Sequence, residues 1–170
     1  KSNMSTEQSK QSDQPLFNIE RIYLKEMSLE QPNSPEILLE SATPEVAVEI
    51  GVGVSRLQED VYQVAITATV TTTLKERVVF LVEAQQAGIF TLRHIPVEQL
   101  TPMLEIACAN IIYPYLRASV ADIISRAGFA PVHLAEINFQ ALYERRLAQQ
   151  AENAQNNAPP HQTNGTAVTH

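Results

Sequence analysis

Two long β-patterned segments joined by three residues constrain this chain more than any other feature. Val61 to Leu74 sets Tyr62, Val64, Ile66, Ala68, Val70 and Leu74 against Gln63, Thr67, Thr69, Thr71 and Thr73. Its β-branched content suits a half-buried pleated surface. Lys75-Glu76-Arg77 then leads into Val78 to Leu92, VVFLVEAQQAGIFTL. Extended, that stretch carries Val78, Phe80, Val82, Ala84 and Gln86 on one face, with Val79, Leu81, Glu83 and Gln85 on the other. A connection this short joins antiparallel neighbours. Neither face of Val78–Leu92 is simply solvated, so one is expected in the core and the other in an association.

Two further strands precede this pair. Glu45 to Leu57 alternates cleanly, with Val46, Val48, Ile50, Val52 and Val54 on one face. Its Gly51-Val52-Gly53 is not a dinucleotide fingerprint, because Arg56 stands where a third glycine belongs and no helix follows. Phe17 to Leu29 alternates less well, which predicts a bulge or an edge position. Glu20, Glu26 and Glu30 fall on one parity there, as a solvated edge would have them. Between these strands, Gln31 to Pro44 holds three prolines and Ile37, Leu38 and Leu39. A connection longer than about 12 residues is usually functional or disordered, and apolar residues on an ordered one must cover something.

Past Leu92 the period becomes helical. Leu100, Met103, Leu104 and Ala107 predict a short helix over about 98–107. Asn110 is placed to cap a longer one running to about Ala127, with Ile112, Leu116, Val120, Ile123, Ile124 and Ala127 as its apolar stripe. Arg126 and Gly128 are stop signals. Asn138 is a second candidate N-cap, with Ile137 and Leu142 placed as a hydrophobic staple, for a last helix ending near Gln150. Strands followed by helices predict an α+β fold: a four-stranded antiparallel sheet with helices packed on one face. Residues 1–14 and 151–170 are poor in apolar side chains and are expected as disordered tails around one domain, 15–150.

Composition narrows the chemistry. A net charge of −7 argues against a nucleic-acid binder, since nothing would replace phosphate counterions. It suits a protein that steers toward a basic partner. No secretory h-region or run of 18 apolar residues occurs, so a cytoplasmic location without direct membrane insertion is expected. There is no P-loop, no H-E-x-x-H and no G-x-S-x-G, and no metal or cofactor motif. Cys108, with His94 or His133, is the only nucleophile–base pairing available, and burial as a small hydrophobe outweighs it. The chain reads as one built for surfaces, not as an enzyme.

Several segments then carry a resemblance. Ile19-Glu20-Arg21-Ile22-Tyr23, Asp60-Val61-Tyr62, Phe80 to Phe90 (FLVEAQQAGIF), Asn110 to Arg117 (NIIYPYLR), Ser125 to Phe129 (SRAGF) and Ile137 to Leu142 (INFQAL) occur in this order. Each is weak alone, but the ordered set closely resembles SecB, the bacterial protein-export chaperone family, over about 17–150. The resemblance implies an ATP-independent holdase that keeps unfolded preproteins export-competent and delivers them to the SecA motor ATPase. It also implies a homotetramer, a dimer of dimers. A related chaperone dedicated to another client, such as a toxin–antitoxin pair, is the alternative, and a thiol-dependent enzyme using Cys108 is a remote third.

The resemblance also implies roles for residues. Glu26, Glu30, Leu81 and Glu83 would form the acidic surface that meets a small basic domain of SecA. Val82, Ala84 and Gln86, with the long helix, would support assembly. Ile37, Leu38 and Leu39 on the long connection, with Phe139, Leu142 and Tyr143 on the last helix, would line the client groove. The chain departs from the family's pattern at Ala42-Thr43 and Leu38, where aromatic side chains are usual, and at Cys108-Ala109-Asn110, where a proline is.

Overall fold

The computed structural model describes residues 13–157; the remainder of both expected tails lies outside the described residues. Four strands form one antiparallel sheet: β1 (Leu16–Glu30), β2 (Glu45–Gln58), β3 (Val61–Leu74) and β4 (Arg77–Arg93). Their order is β1-β4-β3-β2. The last three strands therefore make the expected meander, while β1 lies beside β4 instead of its sequence neighbour β2. Residues 31–44 must then cross the whole end of the sheet, which explains their length. Lys75 and Glu76, with φ of 49° and 66°, make a tight turn whose twist suits the hairpin.

Bulges set which side chains go inside. The β1 register shifts between Ile19 and Arg21 and again between Leu24 and Glu26. Each extra residue resets the phase, so the imperfect alternation becomes an apolar inner face of Phe17, Ile19, Ile22, Leu24, Met27 and Leu29 opposite the inner residues of β4. A third shift, between Thr72 and Thr73, occurs where β4 begins. There Val78 pairs with Thr73 on the outer side, while Val79 and Phe80 are both buried. The expectation that Val78 shares a face with Phe80 is corrected by that bulge.

The helices cover the inner face. α1 (Val97–Pro102) runs into a widened π-type turn (Met103–Cys108) and then α2 (Ala109–Arg126). The rod is helical through Cys108 and Ala109, so Asn110 sits inside it and is no N-cap. The widened turn follows directly on Pro102, which has no N–H for the regular ladder. Ile112, Leu116, Val120 and Ile124 are fully buried against β3 and β4, each contributing about 1.5–3 kcal/mol by leaving water. α2 ends in a Schellman motif: Phe129 N–H donates to Ile124 O at 3.3 Å and Gly128 N–H to Ser125 O at 3.1 Å. Gly128, at φ +93°, takes the left-handed position that favours glycine.

α3 (Phe139–Asn156) starts where Asn138 predicts, with Ala141 N–H donating to Asn138 Oδ1 at 3.0 Å. It continues six residues beyond Gln150, so 151–156, expected in the tail, are helical. Ala, Gln, Asn and Glu form a helix as readily as a coil once a packed first turn has nucleated it.

Candidate functional site

The sheet's two faces make two different surfaces. On the outer face, Glu30 lies opposite Leu81, Ser28 opposite Glu83, and Glu26 opposite Gln85. The second bulge of β1 brings this about, by putting Glu26 and Glu30 in phase with Leu81 and Glu83. The structure thus brings together all four residues expected on the acidic surface. Glu26 and Glu83 line a shallow depression of ≈ 180 Å³ with Thr67, Thr69 and Gln85. Gln85 Nε2 donates to Thr67 Oγ1 at 3.2 Å, so the polar floor is partly self-bonded. Among the described residues none of the three glutamates joins an ion pair. Glu20 is different. It is the first bulge residue, its carboxylate accepts from Thr91 and Asn18 at 2.8 Å, and those bonds hold its pKa below the usual carboxylate value.

The inner face is only partly covered. Val82, Ala84 and Gln86 lie under α2 with almost no exposure. Ser119 Oγ donates to Gln86 Oε1 at 3.3 Å. These three side chains do not themselves reach the surface, since α2 of the same chain covers them on a central strand. Any influence on assembly would act through the seating of α2. Apolar side chains remain exposed at both edges of this face: Phe17, Ile19 and Leu24 on β1, and Val46, Val48 and Val54 on β2.

The residues expected to line one client groove occupy two depressions. Leu142 and Tyr143 of α3, with Phe139 at their base, face Ile50 and Val52 of β2 across a cavity of ≈ 230 Å³. Phe139 is buried edge-to-face on Tyr113, with centroids 5.4 Å apart, so it anchors α3 more than it offers surface. Burial of Tyr113 pushes its pKa up. Arg146 stacks on Tyr143 at 5.6 Å and pairs with Glu105 of the widened turn at 2.6 Å, giving this depression a charged wall.

The second depression, ≈ 390 Å³, lies under residues 31–44 and is lined by Ile37, Leu38, Leu74, Val79 and Phe129. Ile37 is 3 % exposed, Leu38 51 % and Leu39 86 %, so the three consecutive residues have unlike roles. Between the depressions run Val46 and Val48 on the inner face of β2, 48 % and 44 % exposed. Sequence reasoning missed them as site residues. Their alternation was legible, but which part of that face α2 leaves bare was not.

Cys108 is fully buried, and desolvation pushes its thiol up to about 12. Such a group is protonated at neutral pH and a poor nucleophile.

The family model described as "Preprotein translocase subunit SecB" matches residues 10–150. The chain belongs to the SecB family. A "Protein-export protein SecB" of Cupriavidus taiwanensis is 61 % identical over 153 residues, covering 89 % of each chain. The protein of the same name from Burkholderia mallei is 56 % identical over 156 residues, covering 92 % of this chain and 96 % of its own. Among solved structures, a SecB-like chaperone of Mycobacterium tuberculosis in complex with an antitoxin peptide superposes with a TM-score of 0.59. It is 19 % identical and covers 71 % of this chain and 90 % of that one, a likeness of fold. Among the described residues no helix is long and apolar enough to cross a membrane. This SecB-family chain is a protein-export chaperone, from a family that is not enzymatic.

Proposed function

We propose that this chain works as a nucleotide-independent holdase in the cytoplasm. It keeps unfolded preproteins export-competent and hands them to the SecA motor ATPase. The observation that carries this is the division of one sheet into two unlike surfaces. An uncovered apolar track, Val46, Val48 and the two depressions it joins, lies inside. Three carboxylates without an ion pair among the described residues lie outside, around Leu81. The first suits extended, sequence-diverse apolar segments, many weak contacts adding along one chain. The second suits a small basic domain. Exposed charge pairs contribute only about 0–1 kcal/mol each, so the encounter is fast and salt-sensitive more than tight.

The active form is a homotetramer in this reading. Its support is the apolar strip on β1, an edge strand whose Phe17, Ile19 and Leu24 stay partly exposed among the described residues. Exposed apolar edges of this kind are protected by association. Native mass measurement is expected to give about four chain masses, and a monomer at micromolar concentration would count against the assembly.

The decisive experiment is suppression of aggregation of an unfolded preprotein without nucleotide, for the wild type and Glu83→Lys. Both should hold the client, and only the wild type should bind SecA well. Unchanged SecA affinity in the variant would remove the acidic surface from the proposal. The toxin–antitoxin alternative draws on the mycobacterial fold relative, but the far higher identity to export proteins favours export.

A further inference from the structure

Phe139, Leu142, Tyr143 and Arg146 are spaced three or four residues apart on α3, so all four share one face. The first three supply the apolar side of the ≈ 230 Å³ depression opposite Ile50 and Val52. Arg146 continues that stripe with a cation, beside Arg145 and Gln149. Glu105 completes the wall, on the widened turn Met103–Cys108 that packs against α3. The depression is smaller than the roughly 300–1,000 Å³ of small-molecule sites, so it suits one or two side chains of an extended segment.

Arg146 is held at two points. Its Nη2 donates to Glu105 Oε2 at 2.6 Å, and its guanidinium lies 5.6 Å from the centre of the Tyr143 ring. The Glu105 side chain is only 16 % exposed, so its charge is largely withdrawn from water and committed to Arg146. Held in this way, the guanidinium keeps a buried Nε–H with no acceptor among the described residues. A buried donor without an acceptor is destabilising, so a ligand that brings one gains affinity. Arg145 is exposed beside it and joins no ion pair among the described residues. One anion and two cations therefore line the depression, a positive balance on a chain whose net charge is −7.

We propose that Arg146 is a specificity-determining residue of this depression, whose occupant is an apolar client side chain directly next to an acidic residue. The apolar side chain packs among Val52, Leu142 and Tyr143. The neighbouring carboxylate accepts from Arg146 Nε–H and is attracted by Arg145. Glu105 and Tyr143 are positioning residues. They fix the guanidinium before the client arrives, so little rotamer freedom is lost on binding. A cation next to the same apolar side chain is repelled by both guanidinium groups, and it reaches Glu105 only by displacing Arg146. The field of the whole chain draws cationic segments in, while this depression reads the order of charge along them. The client rests on the holdase reading above; the ion pair and the unmatched donor do not.

The test uses the full chain and two fluorescein-labelled peptides of identical composition. In one, phenylalanine stands next to glutamate and the lysine lies at the far end; in the other, the two charged residues are exchanged. Net charge being equal, only charge order separates them. At about 20 mM salt the wild type should bind the Phe-Glu peptide about two- to five-fold more tightly. Raising salt to about 300 mM should shrink that preference. Glu105→Gln with Arg146→Gln removes the guanidinium without leaving an orphaned buried carboxylate, and should bring the two peptides to equal affinity. Arg145→Gln, an exposed change, should remove part of the preference. A third peptide, with phenylalanine between serines, should bind the wild type and both variants alike. Equal affinities in the wild type, or an unchanged preference in either variant, overturn the proposal. Loss of all three peptides from the double variant overturns it too, making the pair a support of the fold. Neither charged peptide bound, while reduced, carboxamidomethylated lactalbumin is still held, overturns this site alone. A wild type that holds no unfolded chain overturns the holdase reading and this client with it.

Discussion

The two faces of β4 are made from one strand and could hardly be less alike. Phe80, Val82, Ala84, Gln86, Phe90 and Leu92 are buried on the inner face, whereas on the outer face Leu81, Gln85 and Ile89 are half-buried and Glu83 exposed, with only Ala87 and Thr91 buried. The inner face was closed by the chain itself, with a helix whose stripe matches it. The outer face was left to the polar column Thr67, Thr69, Thr71 and Thr73 of β3 and the glutamates of β1. A side chain's distance from the core does not separate these roles, since neighbours along the strand differ by one residue. What separates them is which face the helix reaches. Among the described residues, the side chains of β4 open to direct contact with a partner therefore lie outside α2's footprint.

The contrast is broken most directly on the inner face. Phe90 is fully buried and packs against Phe17 with centroids 5.9 Å apart. Phe90→Ala should cost about 3–5 kcal/mol in denaturant unfolding. A cost near that of a surface change would mean that the inner face is not the core. Gly88 sharpens the same point with one added methyl. A Cβ there would stand 2.7 Å from the Phe90 ring and 3.0 Å from Ile22 Cδ1. Gly88→Ala should lower stability by about 1–3 kcal/mol. Gly51→Ala, on the open outer side of β2 where a Cβ meets nothing within 4 Å, should not lower it. Equal losses at the two glycines would break the comparison.

Much of this was legible in the sequence, and the gaps have physical causes. Strand bounds came through because turn residues and period-2 patterning agree at Gln58-Glu59-Asp60 and Lys75-Glu76-Arg77. The Asn138 cap and the Gly128 stop came through because each is a local hydrogen-bond problem solved by one residue. The pairing of β1 with β4 was hidden, since partner choice is a property of the whole sheet. The imperfect alternation of Phe17 to Leu29 announced a bulge or an edge, and β1 has both. The positions of the bulges after Ile19, after Leu24 and at Val79 were hidden, and each moves side chains to the opposite face. That Glu26 shares a face with Glu30, and Leu81 with Glu83, was legible because each pair lies beyond those shifts; that the two pairs adjoin was implied only by the resemblance. Val82, Ala84 and Gln86 were placed on their common face, but periodicity does not say whether a helix of the same chain or a second copy covers a face. The single groove expected from the connection and α3 became two depressions for a related reason. Its floor, Val46 and Val48, is defined only by where α2 stops.

Cys108 tests how dry the covered side is. Its thiol titrates near 12 in the folded chain against an ordinary value of 9.0, because burial disfavours the thiolate. The folded chain therefore keeps a proton that the unfolded chain loses. Stability from this group is complete below pH 9 and declines as pH rises from 9 toward 12. Denaturant midpoints measured across that range should fall, and Cys108→Ala should flatten part of the fall. Tyr113, also pushed up by burial, leaves a residual slope at higher pH. An unchanged slope in the variant, or alkylation of native protein as fast as unfolded protein, would mean that water reaches beneath α2.

The smallest stability effect is expected outside. Glu83→Lys changes an exposed side chain with no ion pair among the described contacts, so it should move the unfolding free energy by no more than about 0.5 kcal/mol. Reversing its charge beside Glu26 and Glu30 even relieves some like-charge repulsion. Affinity for a basic partner should nevertheless drop, and the salt dependence of that affinity should become shallower, because one attractive contact has become repulsive. The two readouts separate a surface kept for recognition from one kept for folding. A large loss of stability would show that Glu83 supports the sheet itself, and the functional contrast between the two faces of β4 would fail at its outer side.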